Sequence, residues 1–333
     1  MSDKPHIVNI RGIIRLDRYL TRQLSHTSRN RIQHHIEKGD VLVNGKHVRS
    51  SHRLQGGEEL TFEPRLVRSI DNDAEPVPME IVYEDQHLIV VNKPADLLVH
   101  PVGSEYKRTV VGALHVLLRQ RGEPTEGLGV VHRLDRMTSG LMVLGKTLEA
   151  RRYLSRQVED RRVKREYVAI AAGVPPLPRG IISMPIRRHP RRPSRMEAIS
   201  EQLAHELRQV EPPPRVSDSG YSDPRADLRP RDAITHYVVL RQWSDCCLLR
   251  FRLETGRTHQ IRVHAQGLGV PLLGDPLYGP EDDHPVQRFG LERPALHARR
   301  LAFPHPETKQ FMRFRVALPS DLQMLLRKIH DEV

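Results

Sequence analysis

The strongest constraint on the fold is a polar loop held between two apolar runs. Leu128, Val130 and Val131 precede it and Leu141 to Leu144 follow it, with the length and composition of buried strands. Between them lies HRLDRMTSG, in which Arg133 and Arg136 flank Asp135 and the turn Thr138-Ser139-Gly140 closes the loop. A carboxylate between two guanidinium groups stays ionised, because nearby positive charge favours the charged form. Asp135 is therefore a candidate nucleophile or electrostatic stabiliser, not a proton donor. For an isolated Arg-Leu-Asp-Arg, a salt-bridged surface loop is the plain alternative.

Charge narrows the partner. The net charge of +12 and the pI near 10.0 imply a polyanion. Arginine carries most of the excess. Guanidinium groups grip phosphates bidentately and stack on bases, which favours nucleic acid over an anionic membrane. With six Phe, eight Tyr and one Trp, the chain is not an aromatic platform for successive bases. No apolar run approaches the roughly 20 residues that span a bilayer, and Met1 to Asn9 lack a secretory pattern, so a cytoplasmic protein is expected. The adjacent Cys246 and Cys247 offer neither a disulfide framework nor zinc spacing. His259 and His264, five apart, fall on different faces of a helix or strand, which argues against a metal site.

At 333 residues the chain suits one large or two unequal domains. In RLDRYLTRQL, Leu16, Leu20 and Leu24 follow helical spacing with Tyr19 alongside, leaving Arg15, Arg18 and Arg22 exposed. Ser28 reads as an N-cap for a helix with Ile32 and Ile36 inward and Arg29 and Arg31 outward. VLVNGKHV reads as a hairpin on an Asn-Gly turn. Residues 1–65 form a small module, 66–78 a linker, and 79–333 a second domain. In the second domain Thr109 and Thr147 cap helices, and Arg165 to Ala172 and Cys247 to Leu253 alternate as strands. Thr258 is expected to cap a helix that carries His259, Arg262 and Val263 on one face. RRHPRRPSR, with five arginines and two prolines in nine residues, reads as an extended basic loop. A short helix through Ile199, Leu203 and Leu207 follows, inside a flexible insertion over 197–230.

Residues 1–65, through RLDRYL, the Ser28-Arg29 helix start, Gly39 and VLVNGK, resemble the S-four-like RNA-binding domain. HRLDRMTSGLMVLGK, REYVAIAAG, TGRTHQIRVHAQGLGVPLLGDPLYG and LHARRLAFPHP, preceded by VNKP and LLVHP, together resemble the RluA-type family of RNA pseudouridine synthases over most of 79–326. The resemblance implies an α+β fold, with a mixed, mainly antiparallel sheet flanked by helices. It also implies isomerisation of uridine to pseudouridine in structured RNA without cofactor or metal. Large-subunit ribosomal RNA is the expected substrate and transfer RNA the runner-up, acted on by a monomer. Asp135 matches the catalytic aspartate, Tyr167 the active-site tyrosine, Arg262 the basic partner of the aspartate, and Arg133 the residue that fills the space of the flipped uridine. His132, Leu134, Arg136, Arg257, His259 and Gln260 are expected at the RNA-binding surface of the cleft, with Arg15, Arg18, Arg29 and Arg31 on the small domain. Three departures from the family pattern stand in the motifs: Asp96 for a frequent Gly, Met137 for a frequent Asp and Gly145 for a frequent Ala. A catalytically silent RNA-binding protein is disfavoured by the intact Asp135, Tyr167 and Arg262. A glycosidase or nuclease would need paired carboxylates or a metal cluster.

Overall fold

The computed structural model describes residues 6–10, 12–23, 29–62, 74–101, 107–192, 194–210, 228–280 and 290–331. The N-terminal elements are β1 (His6–Ile7), β2 (Ile14–Arg15), α1 (Leu16–Gln23), α2 (Arg29–Glu37), β3 (Val41–Val43), β4 (Lys46–His47), β5 (Arg53–Leu54) and β6 (Glu59–Phe62). Leu16, Tyr19 and Leu20 share the buried face of α1 and meet Ile32 and Ile36 of α2 over Val41, Val43 and Leu60, as helical spacing requires. Asn44 and Gly45 both take positive φ, 49° and 71°, the geometry of a two-residue hairpin turn. The expected cap Ser28 and the contact Leu24 lie outside the described residues.

From residue 80 onward the elements are β7 (Glu80–Glu84), β8 (Leu88–Lys93), α3 (Val110–Gln120), β9 (Gly129–Val130), β10 (Ser139–Gly145), α4 (Leu148–Glu159), β11 (Lys164–Ala172), β12 (Arg179–Ser183), β13 (Ile186–Arg188), β14 (Met196–Ala198), α5 (Glu201–Gln209), β15 (Ile234–Gln242), β16 (Cys246–Leu253), α6 (Gln260–Gly267), β17 (Leu296–Pro304), β18 (Phe311–Arg315) and α7 (Ser320–Asp331). Ten strands form one sheet in the order β12-β15-β16-β11-β17-β10-β8-β7, with β18 on β17 and β9 on β10. The β10–β17 pair is parallel and the other pairs of this sheet are antiparallel. Thr109 and Thr147 accept hydrogen bonds from the backbone N–H of Gly112 and Ala150, as N-caps do.

β10 explains its own apolar run, since it is buried on both faces. Met142 and Leu144 join Ile89, Val91 and the α3 residues Val110, Leu114 and Leu118; this layer continues through Tyr167, Ala169, Leu249 and Phe251 to Ile261 and Ala265 of α6. On the opposite face Leu141 and Val143 pack with Leu88, Val90 and Leu154 of α4. Further along that face, Ile170 meets Leu322, Leu325 and Ile329 of α7. The sheet is thus a mainly antiparallel layer with helices on both sides.

Three local expectations are corrected. The basic stretch from Arg187 is not wholly extended loop, because β13 pairs with β14 from Ile186↔Ala198 to Arg188↔Met196. Within the 197–230 insertion the short helix expected through Ile199, Leu203 and Leu207 forms as α5, but it starts at Glu201 behind its Ser200 cap, and Met196–Ala198 pair as β14 instead; 211–227 lie outside the described residues. LLVHP, whose apolar run reads as a short strand ending at His100-Pro101, is reduced to a single bridge, Leu98↔Thr109.

Gly140 fixes where β10 and β17 can run together. It has φ 117°, and a β-carbon there would come within 2.3 Å of the Ala298 carbonyl oxygen. Gly140→Ala combines positive-φ strain with overpacking against backbone, so it should lose about 3 kcal/mol or more, read as a lower urea midpoint at unchanged slope.

Candidate active site

Asp135 sits in the wide loop of the β9–β10 hairpin, and several independent anchors hold that loop. Leu134 is buried in the main apolar layer. The backbone N–H of Thr138 donates to the Asp135 carbonyl at 3.1 Å, and that of Leu97 to the Arg136 carbonyl at 3.2 Å. Lys93, fully buried, donates from Nζ to the carbonyls of Pro94, Leu97 and Arg136 at 2.8, 2.9 and 2.9 Å. Burial pushes its ammonium down to about 7, against the opposing pull of the Asp135 charge. These bonds tie the aspartate loop to the end of β8. Asp96, at φ 57°, tolerates the left-handed conformation that a frequent Gly would adopt freely. Its carboxylate accepts a 2.7 Å bond from Arg136 Nε. Arg136, expected on the RNA surface beside Asp135, therefore pairs with Asp96.

The charge partner of Asp135 comes from α6. Arg262 NH1 stands 3.5 Å from Asp135 Oδ2, with the arginine side chain 6% and the carboxylate 18% exposed. This is an ion pair longer than the 2.7–2.9 Å of a tight charge-assisted bond. The guanidinium fork is committed elsewhere. Nε and NH2 donate to Asp275 Oδ2 and Oδ1 at 2.6 and 2.7 Å, and Asp275 also accepts the backbone N–H groups of Leu277 and Tyr278. The Arg262 guanidinium lies 4.9 Å from the Tyr278 ring centre, within cation–π range. Burial lowers the pKa of Arg262, but the bonds and charge of Asp275, with the charge of Asp135, more than offset it and the net shift is upward. Asp275 and Tyr278 were missed from sequence; the GDPLYG turn that carries them was read only as a turn.

The start of α6 differs from the expected Thr258 cap. Its N-cap position is His259, at φ 55° and without a side-chain cap bond. Gln260 organises the turn in its place, accepting from Thr255 Oγ1 and the Arg257 N–H and donating to the Ile234 carbonyl and Thr235 Oγ1. His259 Nδ1 lies 2.9 Å from the Tyr278 hydroxyl.

These groups line one cleft of about 730 Å³, which includes Arg133, Asp135, Arg165, Tyr167, Arg257, His259 and Arg262. Tyr167 reaches it from β11, which pairs with β16 without interruption through Tyr167↔Phe251. Burial, the largest cause, pushes its phenol up to about 12. At neutral pH it presents a ring face and a hydroxyl, not a phenolate. His132, Leu134 and Gln260 line the same cleft and are buried. Burial drives the His132 imidazole down to about 3, and its Nε2 accepts the Val143 N–H at 3.3 Å. Arg133 is exposed, and Arg257 Nε donates to the Asp232 carbonyl at 3.0 Å. On the small domain Arg18 is exposed, while Arg15 donates to both oxygens of the buried Asp17. The side chains of Arg29 and Arg31 lie outside the described residues. Among the described residues no group of three or more His, Cys, Asp and Glu is placed to hold a metal ion, and no helix is long and apolar enough to cross a membrane. Asp275→Asn leaves the buried Arg262 charge undercompensated; we expect a loss of about 3 kcal/mol by denaturant titration, and a fall in kcat larger than any rise in KM.

Comparison with known proteins identifies the family. The model of the RNA pseudouridylate synthase family matches residues 87–267, just over half of the chain, and that of the S4 domain matches residues 14–60. The chain is 36% identical to the ribosomal large subunit pseudouridine synthase D of Nitrosomonas europaea over 97% of its own length and 86% of the relative's. It is likewise 36% identical to the protein of that name from Xanthomonas campestris pv. campestris, covering 96% and 89%. The solved structure of human RNA pseudouridylate synthase domain containing 4 superposes with a TM-score of 0.57 at 26% identity, over 75% of this chain and 92% of that one. Fold, cleft and sequence together make this chain a member of the RNA pseudouridylate synthase family.

Proposed function

We propose that the chain isomerises uridine to pseudouridine in large-subunit ribosomal RNA, with Asp135 as the catalytic carboxylate. The observation that carries the reading is the buried line Asp275–Arg262–Asp135 opening on the cleft that Tyr167 also lines. The reaction breaks the bond from uracil N1 to ribose C1′, turns the base, joins C5 to C1′ and moves the C5 proton off, with N1 regaining one. It is redox-neutral and needs a held, desolvated base. A carboxylate can attack the ribose or take a proton from it, and Arg262 holds that carboxylate in place from a rigid helix. The neutral ring of Tyr167 suits stacking on uracil. Removing a base from its stack costs a few kcal/mol, and Arg133, exposed at the cleft, fills the vacated position. The ribosomal substrate is supported by the names of the two bacterial relatives and by the S4 domain ahead of the catalytic one.

Asp135→Ala should bind RNA as tightly as the unaltered protein and form no pseudouridine. Incubation with unmodified ribosomal and transfer RNA, followed by chemical mapping, reads both the activity and the substrate; turnover by the variant would remove Asp135 from the mechanism, and product confined to transfer RNA would overturn the ribosomal assignment. Deleting residues 1–65 should weaken RNA affinity and flatten its salt dependence, because fewer phosphates are neutralised.

A further inference from the structure

Among the described residues, a buried cation of the cleft has no ion-pair partner. Arg165, on β11 two residues before Tyr167, is 5% exposed and lines the cleft. Its Nε is buried without a hydrogen-bond partner. Among the described residues no carboxylate forms an ion pair with it, although three carboxylates line the same cleft. Asp135 is paired with Arg262, and Glu254 with Arg161 and His236. Glu159, at the end of α4, makes no ion pair with it either. NH1 lies against the backbone that starts the GRTHQ turn, where a β-carbon on Gly256 would come within 2.8 Å of it. The positive charge is felt locally: it adds to burial in lowering the His132 pKa and opposes the larger effect of burial, which raises that of Tyr167.

A guanidinium that is largely buried and has no ion-pair partner disfavours the fold, and folding alone supplies no reason to keep it. A methionine or leucine would fill the same volume without that cost. Destabilising charge of this kind is retained where a ligand completes it. The missing partner must be anionic and planar or forked to match a guanidinium, as phosphate is. Position fits as well. Residues two apart on a strand share a face about 7 Å apart, so Arg165 stands one step along the wall from the ring on which the uracil is proposed to stack.

We propose that Arg165 is a phosphate-binding residue of the cleft, gripping a backbone phosphate next to the flipped uridine and fixing its ribose over Asp135. The proposal rests on the cleft being the uridine site, which Asp135→Ala tests separately. With phosphate bound, the Arg165 guanidinium gains a charge-assisted partner and the empty cleft's electrostatic cost is relieved. Binding energy from a phosphate that does not react is thereby used to position the sugar that does.

The test uses the full-length protein and an unmodified large-subunit ribosomal RNA transcript, with Arg165→Met and Arg165→Lys. Arg165→Met should bind the transcript roughly tenfold more weakly, and the slope of log affinity against log salt should fall by about 0.7, the value for one single-strand phosphate contact. Its Tm without RNA should be equal to or above that of the unaltered protein, because an uncompensated charge has gone. Arg165→Lys should keep the salt slope while losing part of the affinity, since the charge remains and the fork does not. An unchanged affinity and slope for Arg165→Met would overturn the proposal. So would weaker binding at an unchanged slope, which points to a neutral acceptor such as a uracil carbonyl, or a Tm several degrees lower, which makes the arginine structural. If the unaltered protein formed no pseudouridine in any RNA, the reading of the cleft would fail independently of these binding results.

Discussion

The site depends on one bidentate bond between Arg262 and Asp275. A guanidinium carried into the sheet–helix interface must be matched by a charge of equal burial, and the Asp275 side chain is 0% exposed. Because Asp275 takes both prongs of the fork and is itself fixed by two backbone N–H groups, the remaining nitrogen of Arg262 is aimed at Asp135 by rigid parts. Asp135 is left with a looser contact at 3.5 Å. That division suits a carboxylate that must be oriented yet free to react: the strong bond is structural and the weaker one faces the cleft.

The arginines of this basic chain separate by the same logic. Some already hold a carboxylate: Arg15 on buried Asp17, Arg136 on Asp96 at the surface, and Arg293 on Asp321. Arg133 remains exposed at the cleft. A net charge counts all of these alike, so it identifies a polyanionic partner without locating where that partner lies. Only the arrangement of carboxylates decides which guanidinium groups remain for RNA.

Much of the architecture was legible because its causes are local. The spacing of Leu16, Tyr19 and Leu20, the Asn44-Gly45 turn, the Thr109 and Thr147 caps, and the alternation through Cys247, Leu249 and Phe251 are each dictated within a few residues. The misses share the opposite character. The α6 turn follows Gln260, which reaches Ile234 and Thr235 on another strand, so Thr258 carries no cap. The Arg187 stretch pairs with Met196 to Ala198 through a hairpin that its prolines seemed to forbid.

Sequence alone determined that Asp135 lies in a loop between two buried strands, that the chain carries a basic module ahead of its larger domain, and which motifs it shares with a family. Those are properties of order and composition. The tertiary structure alone decided that Asp275 is the strong partner of Arg262, that Arg136 pairs with Asp96, that Lys93 clamps the aspartate loop through three carbonyls, and that Arg165 is buried without a counter-charge among the described residues. Each of these is a question of which charges are desolvated together, and desolvation is set by segments that are distant in sequence and meet only in the folded chain.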